Sequence, residues 1–115
     1  MAADPTVIEK TTDPGTQIET LKVTGPVTLA TLFEFQGALR EATGPKTLID
    51  FSGVPYMDSA GLGAVLNFYA SAQRHGRRHA IVGMSPRILT MFQVSKVDKF
   101  LSIYPSVEEG ARSLE

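Results

Sequence analysis

In the stretch MDSAGLGAVL, Met57 to Leu66, a carboxylate and a hydroxyl stand side by side where one apolar run gives way to another, with two glycines close behind. A serine in that setting can be a nucleophile, a helix cap, a phosphate acceptor or a contact for another molecule. As a nucleophile, Ser59 would need a base within hydrogen-bond reach. The G-x-S-x-G elbow that exposes such a serine is absent, because Met57 stands two residues before it. The two histidines, His75 and His79, fall at the far end of the predicted helix or beyond it, and a helix of about 16 residues separates its ends by roughly 24 Å. No enzymatic activity is expected on this pattern.

Other chemistries fail on spacing. There is no G-x-x-x-x-G-K-[ST] loop, and no lysine follows the glycines. His75 and His79 are four apart, but Gly76 interrupts them and no nearby acid completes a ligand set. The sequence therefore predicts no metal and no cofactor. A helix cap needs one side chain, and either Asp58 or Ser59 can accept from a free first-turn N–H. That leaves Gly61 and Gly63 unexplained, since each costs roughly 1 kcal/mol of helix propensity relative to alanine. Ser59 and Gly63 share a helix face rotated away from Leu62, Leu66 and Tyr69, the face expected to enter the core. A hydroxyl at an exposed helix start with little bulk beside it admits another protein's surface, and the helix dipole also favours a phosphate there.

The elements that position this motif follow from periodicity. VIEKTTDPGTQIETLKVTG reads as two extended runs around Asp13-Pro14-Gly15, a hairpin whose turn draws on the fixed φ of proline and the freedom of glycine. After Gly25-Pro26, residues Leu29, Leu32, Phe33, Gln36 and Leu39 or Arg40 recur at helical spacing, and Gly44-Pro45 closes that segment. KTLIDFSG suits a strand buried on both faces. The helix from about Ser59 to His75 carries Leu62, Val65, Leu66, Tyr69 and Ala72 on one face, and Gly76 ends it. HAIVGM is a short buried strand; Ser85-Pro86 is a cap followed by proline at the first helical position, which starts a helix to about Val94. On it Ile88, Leu89 and Phe92 form a core stripe, while Val94 falls outside and Met91 lies at its edge, so these two are candidate partner contacts. FLSIYP is weakly extended, and a last helix begins at Ser106, with Glu108 and Glu109 complementing its dipole.

The chain has 115 residues, 43% hydrophobic and 20% charged, with no cysteine and a formal net charge of −1. These values suit one α/β domain and exclude a disulfide framework or thiolate site. No run reaches the roughly 18 to 20 apolar residues of a membrane span, and the N-terminus lacks a secretory pattern, so no membrane insertion and a cytoplasmic location are expected. The balanced charge gives no reason to expect nucleic acid as a partner. The basic cluster RHGRRH, Arg74 to His79, spans a helix end, where cations complement the last carbonyls.

Thr47 to Leu66, TLIDFSGVPYMDSAGLGAVL, resembles the signature of the STAS domain, most closely that of bacterial anti-sigma factor antagonists. The matching features are an apolar strand ending in Asp50, a short loop with Val54, and Asp58-Ser59-x-Gly61-Leu62 opening a helix. The likeness extends more loosely over Thr16 to Leu114. It implies a STAS-like α/β domain over residues 16–115, with residues 1–15 as an N-terminal extended segment and start of the hairpin. Its mixed, mostly parallel sheet would have four to five strands flanked by about four helices.

The resemblance also implies a binding switch, a monomer or weak dimer. Unmodified, it captures an anti-sigma factor that is also a serine kinase; phosphorylation at Ser59 abolishes capture, and a serine phosphatase restores it. Asp58, Ser59, Gly61, Leu62, Gly63, Met91 and Val94 are the expected partner-binding residues. The alternative is a STAS-type accessory subunit that docks on the ATPase of a membrane transport system. One departure is visible: Thr24 to Leu32, TGPVTLATL, holds no acid where many such antagonists carry a Gly-Glu-Leu-Asp-like run.

Overall fold

The computed structural model describes residues 5–115; residues 1–4 of the N-terminal segment lie outside the described residues. Five strands form one sheet in the order β1 (Val7–Thr12), β2 (Ile18–Thr24), β3 (Lys46–Gly53), β4 (Arg78–Val82) and β5 (Ile103–Tyr104). The first pair is antiparallel and the other three are parallel. The hairpin closes through Asp13, whose amide donates to Ile18 O at 3.0 Å and whose carboxylate accepts from Gly15 N at 2.9 Å. The left-handed residue of this turn is Gln17, with φ 63°, not Gly15. β1 is thus part of the sheet itself.

The helices are α1 (Leu32–Glu41), preceded by a 3-10 turn over Leu29–Thr31, α2 (Ser59–Arg74), α3 (Pro86–Val94) and α4 (Val107–Leu114). Leu21, Ile49, Phe51 and Ile81 on one sheet face pack with Phe35 of α1, Val65 and Phe68 of α2, and Ile88 and Phe92 of α3. Ile18, Leu48, Ala80 and Val82 on the other face pack with Leu114 of α4. β3 is buried on both sides because helices cover both sheet faces, as the short apolar run Leu48-Ile49 with Phe51 beyond Asp50 predicts.

Two helix faces differ from the sequence reading. On α1, Phe35 and Leu39 are buried and Leu32 leans on the core, whereas Phe33 is 86% exposed and Leu29 75% exposed. The 3-10 turn resets the helical phase, and Phe35 is drawn inward by Phe51, ring centroids 5.8 Å apart. On α2, the buried set is Gly61, Ala64, Val65, Phe68 and Ala72, with Leu62, Leu66 and Tyr69 only half-buried. The face is turned by about one position because Gly61 must point at Met57 and Val27 (below). The caps follow expectation: Ser85 accepts from Ile88 N at 3.2 Å, Ser106 accepts from Glu109 N at 3.2 Å, and Gly76 takes φ 67° after α2.

Candidate functional site

Parallel strands bring the ends of β2 and β3 to one sheet edge, and the loops leaving them are zipped together there. Val27 and Met57 form an isolated parallel bridge, with Val27 N donating to Tyr56 O at 2.9 Å and Asp58 N donating to Val27 O at 3.1 Å. Val27 and Met57 are both buried, and α2 starts directly over them. A Cβ on Gly61 would lie 2.6 Å from Met57 Cγ and 2.9 Å from Val27 Cγ1. Gly61 is therefore glycine because it seats the first turn of α2 on the zipped loops. It is buried, and so is not the surface contact that the sequence suggested.

Asp58 does the capping. Its Oδ1 accepts from Ala60 N at 2.9 Å and Gly61 N at 3.4 Å, while its Oδ2 accepts from Leu29 N at 3.0 Å. One carboxylate thus closes the start of α2 and holds the 3-10 turn against it. That turn is fixed independently by Thr31 Oγ1, which accepts from Thr28 N at 3.0 Å and donates to Pro26 O at 2.9 Å. Where the sequence lacks a loop acid, two threonines supply the local hydrogen bonds.

Ser59 is the first residue of α2, exposed, and its hydroxyl has no hydrogen-bond partner among the described residues. One turn along, a Cβ on Gly63 would meet nothing within 4 Å. Leu62 is half-buried on the flank of the core. Asp50, at the end of β3, is a supporting group: it is buried and accepts from Ser52 N at 2.9 Å. Gly83, at φ 75°, passes so close that a Cβ there would sit 2.9 Å from Asp50 Oδ1.

Met91 packs against the core at the edge of the Ile88–Phe92 stripe, and Val94 is 75% exposed, as the spacing indicated. Both are carried by α3, not by the helix that Ser59 opens. Val94 lies eight positions from the start of α3, roughly 12 Å along its axis. Tyr56, two positions before Asp58, is 45% exposed, and across the zipped loops stand two further exposed apolar residues, Leu29, whose own amide is held by Asp58, and Phe33 one turn further on. Leu29 and Phe33 were visible in the sequence as part of a stripe; only the helical phase separates their exposure from the burial of Phe35.

The histidines are spent elsewhere. His75 is exposed, with Nδ1 2.8 Å from Ser71 O. His79 Nε2 accepts from Ser102 N at 3.1 Å, and its ring meets Tyr69 and Phe68 edge-on at centroid distances of 5.8 and 6.3 Å. Burial holds its imidazole below the usual histidine range. Arg78 donates to the carbonyls of Ser113 and Leu114, so this member of the basic cluster caps α4. Among the described residues no group of three potential ligands could hold a metal ion, and no helix is long and apolar enough to cross a membrane.

A mostly parallel sheet covered by three helices on one face and one on the other defines the class of the fold, an α/β domain. This chain belongs to the STAS domain family, whose model matches residues 8–110. The fold is shared with an anti-sigma factor antagonist from Mycobacterium paratuberculosis, at TM-score 0.85 and 18% identity over 95% of this chain and 93% of that one. It is shared with the anti-sigma factor antagonist SpoIIAA in its unphosphorylated form, at TM-score 0.69 and 16% identity over 93% and 96% of the two chains. It also recurs within the murine anion transporter Slc26a9, at TM-score 0.73 and 14% identity, over 84% of this chain and 17% of that one.

Proposed function

We propose that this protein is an anti-sigma factor antagonist, a binding protein and not an enzyme, whose capture of an anti-sigma factor with serine-kinase activity is switched off by phosphorylation of Ser59 and restored by a serine phosphatase. The observation that carries this reading is the division of labour between neighbours. Asp58 performs the capping, which leaves Ser59 exposed, without a partner, and beside the open Gly63. The docking face would combine Ser59 and Gly63 with the flanking Leu62, Leu29 and Phe33, and Asp58 would act by holding Leu29 in place. Met91 and Val94 would contribute only to a partner broad enough to reach α3.

A phosphate on Ser59 adds about −1.5 to −2 charges next to a carboxylate already bonded to three amides. Repulsion between the two anions weakens the tie to Leu29, and the phosphate itself intrudes on the partner. Both effects oppose docking without any rearrangement of the sheet. The test is intact-protein mass after incubation with ATP and the candidate kinase: one added phosphate on wild type and none on Ser59→Ala supports the reading.

The acid-free stretch Thr24 to Leu32 favours a second reading, a STAS-type accessory subunit bound to the ATPase of a membrane transport system. Under it Ser59 takes no phosphate and the co-purifying ATP-binding protein is a transport ATPase. That pair of results would replace the first reading with the second.

A further inference from the structure

Far from the Asp58–Ser59 edge, the second halves of α1 and α2 part to leave a pocket of about 190 Å³. Ser59 and Ser71 are twelve residues apart on α2, roughly 18 Å along its axis, so this is a separate place in the fold. Leu39, Ala64 and Phe68, all buried, make an apolar floor. Around it stand Arg40 from α1, Arg77 from the turn before β4, and the side chains of Gln36, Asn67 and Ser71. None of these five side chains has a hydrogen-bond or ion-pair partner among the described residues, where the single ion pair joins Lys10 to Glu19. The neighbouring Arg78, by contrast, is spent on the end of α4.

Arg40 lies in the last turn of α1, where a cation complements the helix dipole. That accounts for one guanidinium. It does not account for a second arginine lining the same pocket, where the other polar residues are two amides and a hydroxyl and no carboxylate is among the lining residues. Two arginines lining one pocket without a carboxylate favour an anion as its occupant. Their planar forks match the two oxygens of a carboxylate. The apolar floor adds a requirement for a hydrophobic portion, and the volume sets its size: a cavity of about 150 Å³ holds one benzene ring.

We propose that this pocket binds a small monocarboxylate bearing one aromatic ring or a branched apolar group. The inference does not depend on the phosphorylation switch. It is tested by following backbone amide resonances of the whole chain during titration with benzoate, with benzamide as the uncharged analogue and inorganic phosphate as the anion without an apolar part. Benzoate should give saturable shifts centred on Gln36, Asn67 and Ser71, with a Kd of about 0.1–1 mM, the weak range expected of so small a ligand. Arg40→Gln and Arg77→Gln should each weaken it at least about tenfold, as should the exchange of benzoate for benzamide. Ser71→Leu, which fills the pocket and leaves both arginines, should also weaken it. Thermal melts of each variant distinguish lost binding from lost folding. Absence of saturable shifts, phosphate binding as tightly as benzoate, or benzoate binding unchanged in both folded arginine variants would overturn the proposal.

Discussion

Asp58 and Ser59 are adjacent in sequence and opposite in circumstance. Asp58 has three amide donors on its two oxygens and Ser59 has none. Asp58→Ala should therefore lower unfolding free energy by about 1–2 kcal/mol in urea denaturation, a lost cap plus an abandoned Leu29 amide. Asp58→Asn, which also caps well, should recover most of that loss. The two glycines beside them diverge in the same way. Gly61→Ala forces a methyl into Met57 and Val27 and should destabilise by about 1–3 kcal/mol. Gly63→Ala meets open space and should stabilise by roughly 0.5–1 kcal/mol through helix propensity, while weakening capture of the partner. His79 adds a pH dependence. Because burial lowers its pKa in the folded protein, the unfolded chain binds more protons below its own pKa of about 6.5. Its contribution is thus fully present above that value and is lost as pH falls toward the folded pKa. Denaturation at pH 7.5 and about 5.5 should show the loss in wild type and a smaller one in His79→Gln, which keeps an acceptor for Ser102.

At the scale of elements, what the sequence discloses depends on how local the cause is. Ser85-Pro86, Ser106 and Gly76 mark helix ends through chemistry contained within a few residues, and each end lies where that chemistry places it. Leu48, Ile49 and Phe51, on alternate faces of β3 and bounded by turn residues, similarly announce burial on both faces. Helix phase is different, because it is set by partners distant in the chain. Leu29, Leu32, Phe33 and Gln36 make as good a stripe on paper as Leu32, Phe35 and Leu39, and it is contact with Phe51 and the intervening 3-10 turn that choose between them. Gly61 belongs to the same category: its spacing marks it as unusual, but Met57 and Val27 become its neighbours only when the two loops zip. The observed phase of α1 predicts opposite outcomes for nearby phenylalanines. Phe35→Ala should cost about 3–5 kcal/mol in urea denaturation, whereas Phe33→Ser should leave stability nearly unchanged. Phe33→Ser should instead weaken partner binding, measured by calorimetry with the candidate anti-sigma factor.

Across the whole molecule, the order β1-β2-β3-β4-β5 puts the carboxyl ends of the parallel strands on one edge, and the serine sits there on a helix with a fixed start. The domain's opposite end has its own inventory: His79 held by Ser102, Arg78 capping α4, and the pocket lined by Arg40 and Arg77, whose side chains have no partner among the described residues. The motif and its edge were legible because strand-to-helix alternation and the STAS resemblance both point to residues 47–66. The place of Leu29 beside the motif was not, since it arises from the tie between a loop and a helix start 29 residues apart. The central claim is that a phosphate on Ser59 switches off a docking surface on an otherwise unchanged fold. Its most direct test is a calorimetric titration of the candidate anti-sigma kinase with the unmodified protein and with the same protein carrying phosphoserine at Ser59, their melting curves compared alongside. The account predicts tight binding by the unmodified form, a loss of at least about a hundredfold on phosphorylation, and closely similar melts. Equal affinity of the two forms for that partner would contradict it.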